Sequence, residues 1–157
     1  MSATRARIET RRTCWAYSPG GHLAELERAT AGIQFVDRFD VTFAGGRPPC
    51  VAPRRTYLVC HPRRSLGRTL LNVAQSLAVV LRERPHLVLS TGADVAVATC
   101  LVARLLGARL VFVETAGELA PTLAGRLVYP FAHLFIVQWP EKLAAFPKAI
   151  LARRPLL

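Results

Sequence analysis

Lysine is almost missing from this chain: of 21 basic residues only Lys142 and Lys148 are lysine, and the rest are arginine. Acidic residues are few as well, ten in all, so the formal net charge is +11. A surplus of that size attracts a polyanion or an anionic membrane. With 52% hydrophobic and 20% charged residues, the composition excludes a disordered tail and fits a globular protein. No C-x-x-C pair joins the four cysteines. Cys14 and Cys60 sit in apolar strand-like runs and Cys100 in an apolar helix-like run, as free thiols of a reducing compartment do. His22, His61, His86 and His133 are too scattered for a local zinc motif, and no metal or other cofactor is expected. No stretch approaches the roughly 20 apolar residues of a membrane span. The longest uncharged helix-like run is Thr69 to Leu81, and Met1 to Arg12 is polar, with four arginines and no signal-peptide core behind it. The expectation is a cytoplasmic protein, soluble or peripheral at the inner face of the cell membrane.

Three enzyme signatures are missing too. There is no G-x-G-x-x-G after the first strand, and no acidic residue ends the second. No G-x-x-x-x-G-K-[ST] occurs, and no glycosidase-type carboxylate pair is evident. Without a recognisable nucleic-acid motif, charge alone does not make this a nucleic-acid-binding domain.

What is present alternates strand and helix without internal repeat or long linker. Residues 1–12 read as a basic N-terminal extension and 13–157 as one domain. Thr13 to Ser18 reads as a buried strand, Pro19-Gly20-Gly21-His22 as a turn, and Leu23 to Ala31 as a helix. Val41 to Ala44 and Thr56 to Cys60 read as strands flanking a mobile Gly/Pro/Arg loop, Gly45 to Arg55. Leu66 to Arg84 is the clearest helix, stopped by Pro85. Leu70, Ala74, Leu77 and Leu81 share one face, with Leu71 and Ala78 beside them, and Asn72, Gln75 and Ser76 lie opposite. The apolar face serves either the core or, bracketed by Arg63, Arg64, Arg68, Arg82 and Arg84, a lipid interface. Leu123 to Phe131 is a second candidate for such a patch. Leu87 to Ser90, Leu110 to Val113 and Leu134 to Val137 read as strands, with a helix from Val95 to Leu106. Short apolar strands alternating with helices predict a doubly wound, mainly parallel α/β domain.

In such sheets ligands bind beyond the carboxyl ends of the strands. His22, Thr91, Gly92, Asp94, Glu114 and Gln138 all fall at those ends and predict one cleft. The Ser18 to His22 turn has two glycines that permit close backbone approach. It leaves unpaired N–H groups at a helix start, which suits a pyrophosphate. His22 there is either a general base or a residue that merely caps or solvates the turn. Asp94 reads most simply as the N-cap of the helix beginning at Val95. Glu114 reads as a site carboxylate, or as a helix cap or arginine partner.

Three segments carry a family resemblance: SPGGHLAEL (Ser18 to Leu26), STGADVAVATCLVARLLG (Ser90 to Gly107) and FVETAGELAPTLAGRLVYPFAHLFIVQWPEKLAAFPKA (Phe112 to Ala149). The chain resembles the anchoring subunit of the bipartite N-acetylglucosaminyltransferase of lipid-linked oligosaccharide synthesis, and its bacterial PssD/CpsF-type relatives. That family is similar to the N-terminal half of MurG-like GT-B enzymes. The resemblance implies an acceptor-binding half domain, inactive alone, which recruits a small donor-binding subunit holding the UDP-sugar. The chain stops where a fused enzyme would begin its donor domain. Transfer would be inverting and metal-independent, onto a polyprenyl-pyrophosphate glycolipid at the membrane surface. His22 would be the base and Glu114 would orient the base or sugar. Ser18, Gly20, Gly21, Thr91, Gly92 and Asp94 would bind the acceptor. Gln138, Trp139 and Glu141 would meet the partner. Asp94, Glu118 and the Ala152-Arg153-Arg154 tail depart from the family pattern, where glycine, arginine and a glycine pair are usual.

Overall fold

The computed structural model describes residues 7–156; the first six residues of the expected basic extension, and Leu157, lie outside the described residues. In chain order the elements are β1 (Arg7–Glu9), β2 (Thr13–Ala16), α1 (Gly21–Ala29), β3 (Ile33–Phe35), β4 (Arg38–Thr42), β5 (Arg55–Leu58), α2 (Leu66–Glu83), β6 (Leu87–Ser90), α3 (Asp94–Leu105), β7 (Arg109–Val113), α4 (Leu123–Val128), β8 (Leu134–Val137) and β9 (Ile150–Leu151). Seven strands form one sheet, ordered β5-β4-β2-β6-β7-β8-β9, and every pairing in it is parallel. This is the expected α/β architecture. β1 and β3, which the sequence pattern did not reveal, pair in parallel as a separate two-stranded ribbon.

The two faces of the sheet differ in chemistry. Cys14, Ala16, Phe39, Val41, Val88, Leu110, Phe112 and Phe135 pack with α2, α3 and α4 into the larger core. The alternate residues Trp15, Tyr17, Leu87 and Leu89 meet Leu23 and Leu26 of α1 in a smaller one. β4 begins at Arg38, earlier than the expected Val41, because Arg38 and Asp40 are buried as an ion pair with 3.0 Å between Nε and Oδ1. A charged, alternating R-F-D-V-T run hid that strand start from hydrophobic pattern reading.

The connection between β4 and β5 carries no helix. The expected loop is tied down at several points. Glu27 of α1 accepts from Arg47 (2.5 Å) and from the backbone N–H of Cys50 (2.6 Å), and Arg54 reaches Asp37 and Glu83.

α2 spans nearly the expected range, but its core reading is corrected. The leucine face points outward: Leu66 is 77% exposed, Leu70 61% and Leu81 53%. The inward face carries Asn72 and Ser76 with Val79, Val80 and Glu83. Asn72 Nδ2 donates to Cys60 O at 2.7 Å, Gln75 accepts from Cys60 N at 2.6 Å, and Ser76 Oγ lies 2.9 Å from Thr99 Oγ1. α3 meets α2 with small and polar side chains, so the helix turns towards hydrogen-bond partners. Burying those groups unpaired would cost about 1–3 kcal/mol each. The leucines are left unpartnered.

Candidate active site at the strand crossover

Strand order reverses between β2 and β6: the chain runs from β2 outward to β4 and β5, then returns to β6 on the other side. A crevice opens there beyond the carboxyl ends, where parallel sheets bind ligands. Two loops build its walls. After β2, Gly20 takes φ +101°, ψ −127°, a conformation L-residues rarely adopt, so α1 can start abruptly at Gly21. α1 has no side-chain cap and no acid in its first turn, which leaves its leading N–H groups and positive dipole end available. After β6, Gly92 at φ +106° lets the backbone pass beside the rings of Phe112 and His22. Ala93 follows at φ +75°, ψ 150°, a conformation that costs a non-glycine residue about 1–3 kcal/mol.

His22 and Thr91 join these loops. His22 Nδ1 lies 3.0 Å from the Thr91 carbonyl, and Thr91 Oγ1 donates to the His22 carbonyl at 2.7 Å. A carbonyl only accepts, so Nδ1 carries a proton, and in the neutral imidazole the lone pair is on Nε2. That is the tautomer a general base requires. Thr91 and Gly92 are buried, His22 and Ser18 are half-buried, and Gly20 and Gly21 are exposed. The Ser18 hydroxyl donates to the neighbouring Pro19 carbonyl at 3.5 Å.

Asp94 does not cap α3 as expected. It is the first helical residue, Ala93 occupies the cap position, and no side chain caps the helix. The Asp94 carboxylate instead faces His61 Nδ1 at 3.4 Å, with the imidazole set edge-on against Phe43. Its negative charge sits at the positive end of α3, so the two helix starts at the crevice are electrostatically unequal.

Glu114 lies at the end of β7 with no solvent exposure. Its carboxylate accepts from the backbone N–H (2.7 Å) and hydroxyl (3.1 Å) of Thr122 and from Lys142 Nζ (3.3 Å). Gly125 lies so close that a Cβ there would collide with the carboxylate. Among the described residues no hydrogen bond links Glu114 to His22. The arrangement holds the Thr115–Pro121 loop and the start of α4 in place, as a cap and ion pair do. The buried Lys142, which also donates to Thr115 O at 2.7 Å, was not singled out from the sequence.

Glu25 was also missed. Three residues beyond His22 on α1, it accepts at Oε1 from Thr115 Oγ1 (3.0 Å) and Ala116 N (2.9 Å), tying the histidine-bearing helix to the loop after β7. Its position on the buried side of α1, directly in the SPGGHLAEL segment, was the available signal. Of the expected partner-facing residues, Gln138 is buried and bridges the Glu114 carbonyl (2.9 Å) and Leu156 N (2.6 Å). Trp139 is half-buried, with its indole N–H on Ala116 O at 2.8 Å, and Glu141 is exposed. No group of three His, Cys, Asp or Glu among the described residues stands close enough to hold a metal ion.

A family model described as "Oligosaccharide biosynthesis protein Alg14 like" matches residues 59–152. The chain is similar to the UDP-N-acetylglucosamine transferase subunit ALG14 of Rattus norvegicus, 32% identical over 93 residues that make up 55% of this chain and 43% of the relative. The corresponding subunit of Homo sapiens is 30% identical over 89 residues, 52% of this chain and 41% of the relative. The chain thus matches less than half the length of these curated relatives. Among solved structures, a UDP-N-acetylglucosamine 2-epimerase aligns with TM-score 0.66 and 13% identity over 89% of this chain and 45% of the epimerase. Acinetobacter baumannii MurG aligns with TM-score 0.60 and 15% identity over 92% of this chain and 44% of MurG. At such identities the likeness is one of fold, that of a GT-B N-terminal-type domain.

Proposed function

This chain belongs to the Alg14-like family of oligosaccharide biosynthesis proteins, and on that premise we propose that it is the acceptor-binding, membrane-recruiting subunit of a two-component inverting glycosyltransferase. The donor is a UDP-sugar, held by a separate small subunit. The acceptor is a polyprenyl-pyrophosphate-linked sugar. The observation that carries the reading is the crevice at the strand crossover. There an uncapped helix start without acidic residues lies beside a histidine whose Nδ1 is committed to a carbonyl. The N–H groups of Gly21, His22 and Leu23 suit the acceptor pyrophosphate. His22 Nε2 takes the proton of the attacking hydroxyl as the sugar–UDP bond breaks. Glu114 acts through the loop it holds, as a positioning residue. Ser18, Thr91, Gly92 and Asp94 line the acceptor side, with Asp94 accepting from a hydroxyl and not from the anion. Glu141 and the exposed edge of Trp139 meet the donor subunit, while Gln138 supports them from within.

The outward leucine face of α2 supports a membrane-surface location. Arg63, Arg64, Arg68, Arg82 and Arg84 are exposed around it. Leucines entering the acyl boundary and guanidinium groups meeting phosphates is the arrangement of an interfacial helix. No helix among the described residues is long and apolar enough to cross a membrane.

The test is reconstitution with the donor-binding subunit. His22→Ala should lower transfer by roughly 10²–10⁴-fold, the usual range for a lost general base, with the partner still co-purifying. Undiminished transfer would replace this reading by that of a recruiter contributing no chemistry.

A further inference from the structure

We infer that Glu25 is a positioning residue through which the edge at Trp139 sets the orientation of His22; this rests on the reading above, in which that edge meets the donor subunit. Glu25 stands three residues beyond His22, on the same face of α1, and is buried. Four hydrogen bonds converge on the Thr115–Ala116 segment beside it. From α1, Glu25 Oε1 accepts the Thr115 hydroxyl at 3.0 Å and the Ala116 N–H at 2.9 Å. From the other side, Lys142 Nζ donates to Thr115 O at 2.7 Å and the Trp139 indole N–H to Ala116 O at 2.8 Å. The Ala116 residue is therefore held by the histidine-bearing helix at its nitrogen and by Trp139 at its oxygen. A second route, from Arg28 to Leu156 O and from Leu156 N to Gln138, begins with an exposed bond for which water competes.

The bonds to Glu25 are unevenly distributed. Both donors share Oε1, while Oε2 is buried and has no partner among the described residues. A glutamine would make the same two bonds without a buried charge, and a buried charge left partly unsatisfied is costly. What a carboxylate has and an amide lacks is a second accepting oxygen. Two arrangements are thereby open to it: both donors on Oε1, as in this structure, or one on each oxygen. Coupling between two places in a protein requires an element with two such discrete states. When Trp139 draws Ala116, the Ala116 N–H passes from Oε1 to Oε2, and α1 turns with the carboxylate. His22 is bonded to Thr91 on a different segment, so a turn of α1 changes where its Nε2 points.

The experiment follows the His22 imidazole by NMR in the full chain, with no partner added. Trp139→Phe keeps an aromatic ring and deletes the bond to Ala116 O. In the parent it should shift the His22 ring signals and speed amide exchange in α1 roughly tenfold. Glu25→Gln retains one accepting oxygen for both donors and replaces the second by an amide nitrogen. In that background Trp139→Phe should leave the His22 signals where Glu25→Gln alone puts them. Glu25→Gln should unfold at no lower denaturant than the parent, because it removes an uncompensated buried charge, so the lost response reports the second oxygen and not misfolding. Equal His22 shifts in the two backgrounds, or none in the parent, overturn the inference. The two readings fail separately. Absence of coupling in a chain whose transfer still depends on His22 leaves the transferase reading standing, and coupling in a chain whose His22→Ala variant transfers undiminished counts against that reading alone.

Discussion

His22 and Thr91 exchange hydrogen bonds in both directions, ring to carbonyl and hydroxyl to carbonyl, across the point where the sheet reverses its order. The first bond sets the imidazole tautomer and the second fixes the backbone that carries the ring. Thr91→Val keeps the first and deletes the second, while the His22 carbonyl still accepts within α1. A stability loss of about 0.5–1.5 kcal/mol, the net worth of one hydrogen bond, is expected in denaturant unfolding. The reconstituted enzyme should show a reduced kcat with little change in donor KM. An unchanged kcat would mean that Thr91 only braces the turn.

The buried Lys142–Glu114 pair predicts strong non-additivity. Lys142→Met leaves a carboxylate uncompensated in the interior and should cost about 3–5 kcal/mol. Adding Glu114→Gln removes the unpaired charge and keeps the bond from the Thr122 backbone N–H. The double variant should therefore unfold at higher denaturant than Lys142→Met alone. Additive losses in that double-mutant cycle would show the pair to be uncoupled.

The reversed orientation of α2 predicts opposite consequences for its two faces. Leu70→Gln with Leu77→Gln touches exposed residues and should change stability by about 0.5 kcal/mol or less, yet reduce sedimentation with anionic liposomes. Ser76→Ala leaves the buried Thr99 hydroxyl unpaired and should cost about 1–3 kcal/mol. Were the leucine pair the more damaging change to melting temperature, α2 would be packed the other way round.

Asp40 predicts a pH-dependent stability term. Burial raises its carboxyl from 3.8 to about 6, against the opposing pull of Arg38 and the Tyr17 hydroxyl. The folded state therefore holds a proton that the unfolded chain has released between about pH 4 and 6. The contribution is present below pH 4 and is lost as pH rises through 6, about 3 kcal/mol across that window. Glu9, Asp37, Glu27 and Glu83 are shifted downward by their arginine and other hydrogen-bond partners, and act in the opposite sense at lower pH. In urea titrations the difference between parent and Asp40→Asn should grow in favour of the variant from pH 4 to 7. A difference independent of pH would place the Asp40 carboxyl at its ordinary value.

Local order in this protein is written in local chemistry. Short β-branched and aromatic runs mark β2, β6, β7 and β8, Pro85 ends α2, and the Gly20-Gly21 pair announces the turn that carries His22. The GT-B-type architecture and the family were readable from such segments. What the amino-acid order could not decide is which face of an amphipathic helix finds a partner and which charged groups pair inside. The leucines of α2 point outward because α3 offers hydroxyl and carbonyl partners to Asn72 and Ser76. Glu114 is buried because Lys142 and Thr122 arrive from elsewhere in the chain to satisfy it, and Arg38 and Asp40 begin a strand because each neutralises the other. Periodicity specifies a stripe on a helix or strand; only packing determines what that stripe meets.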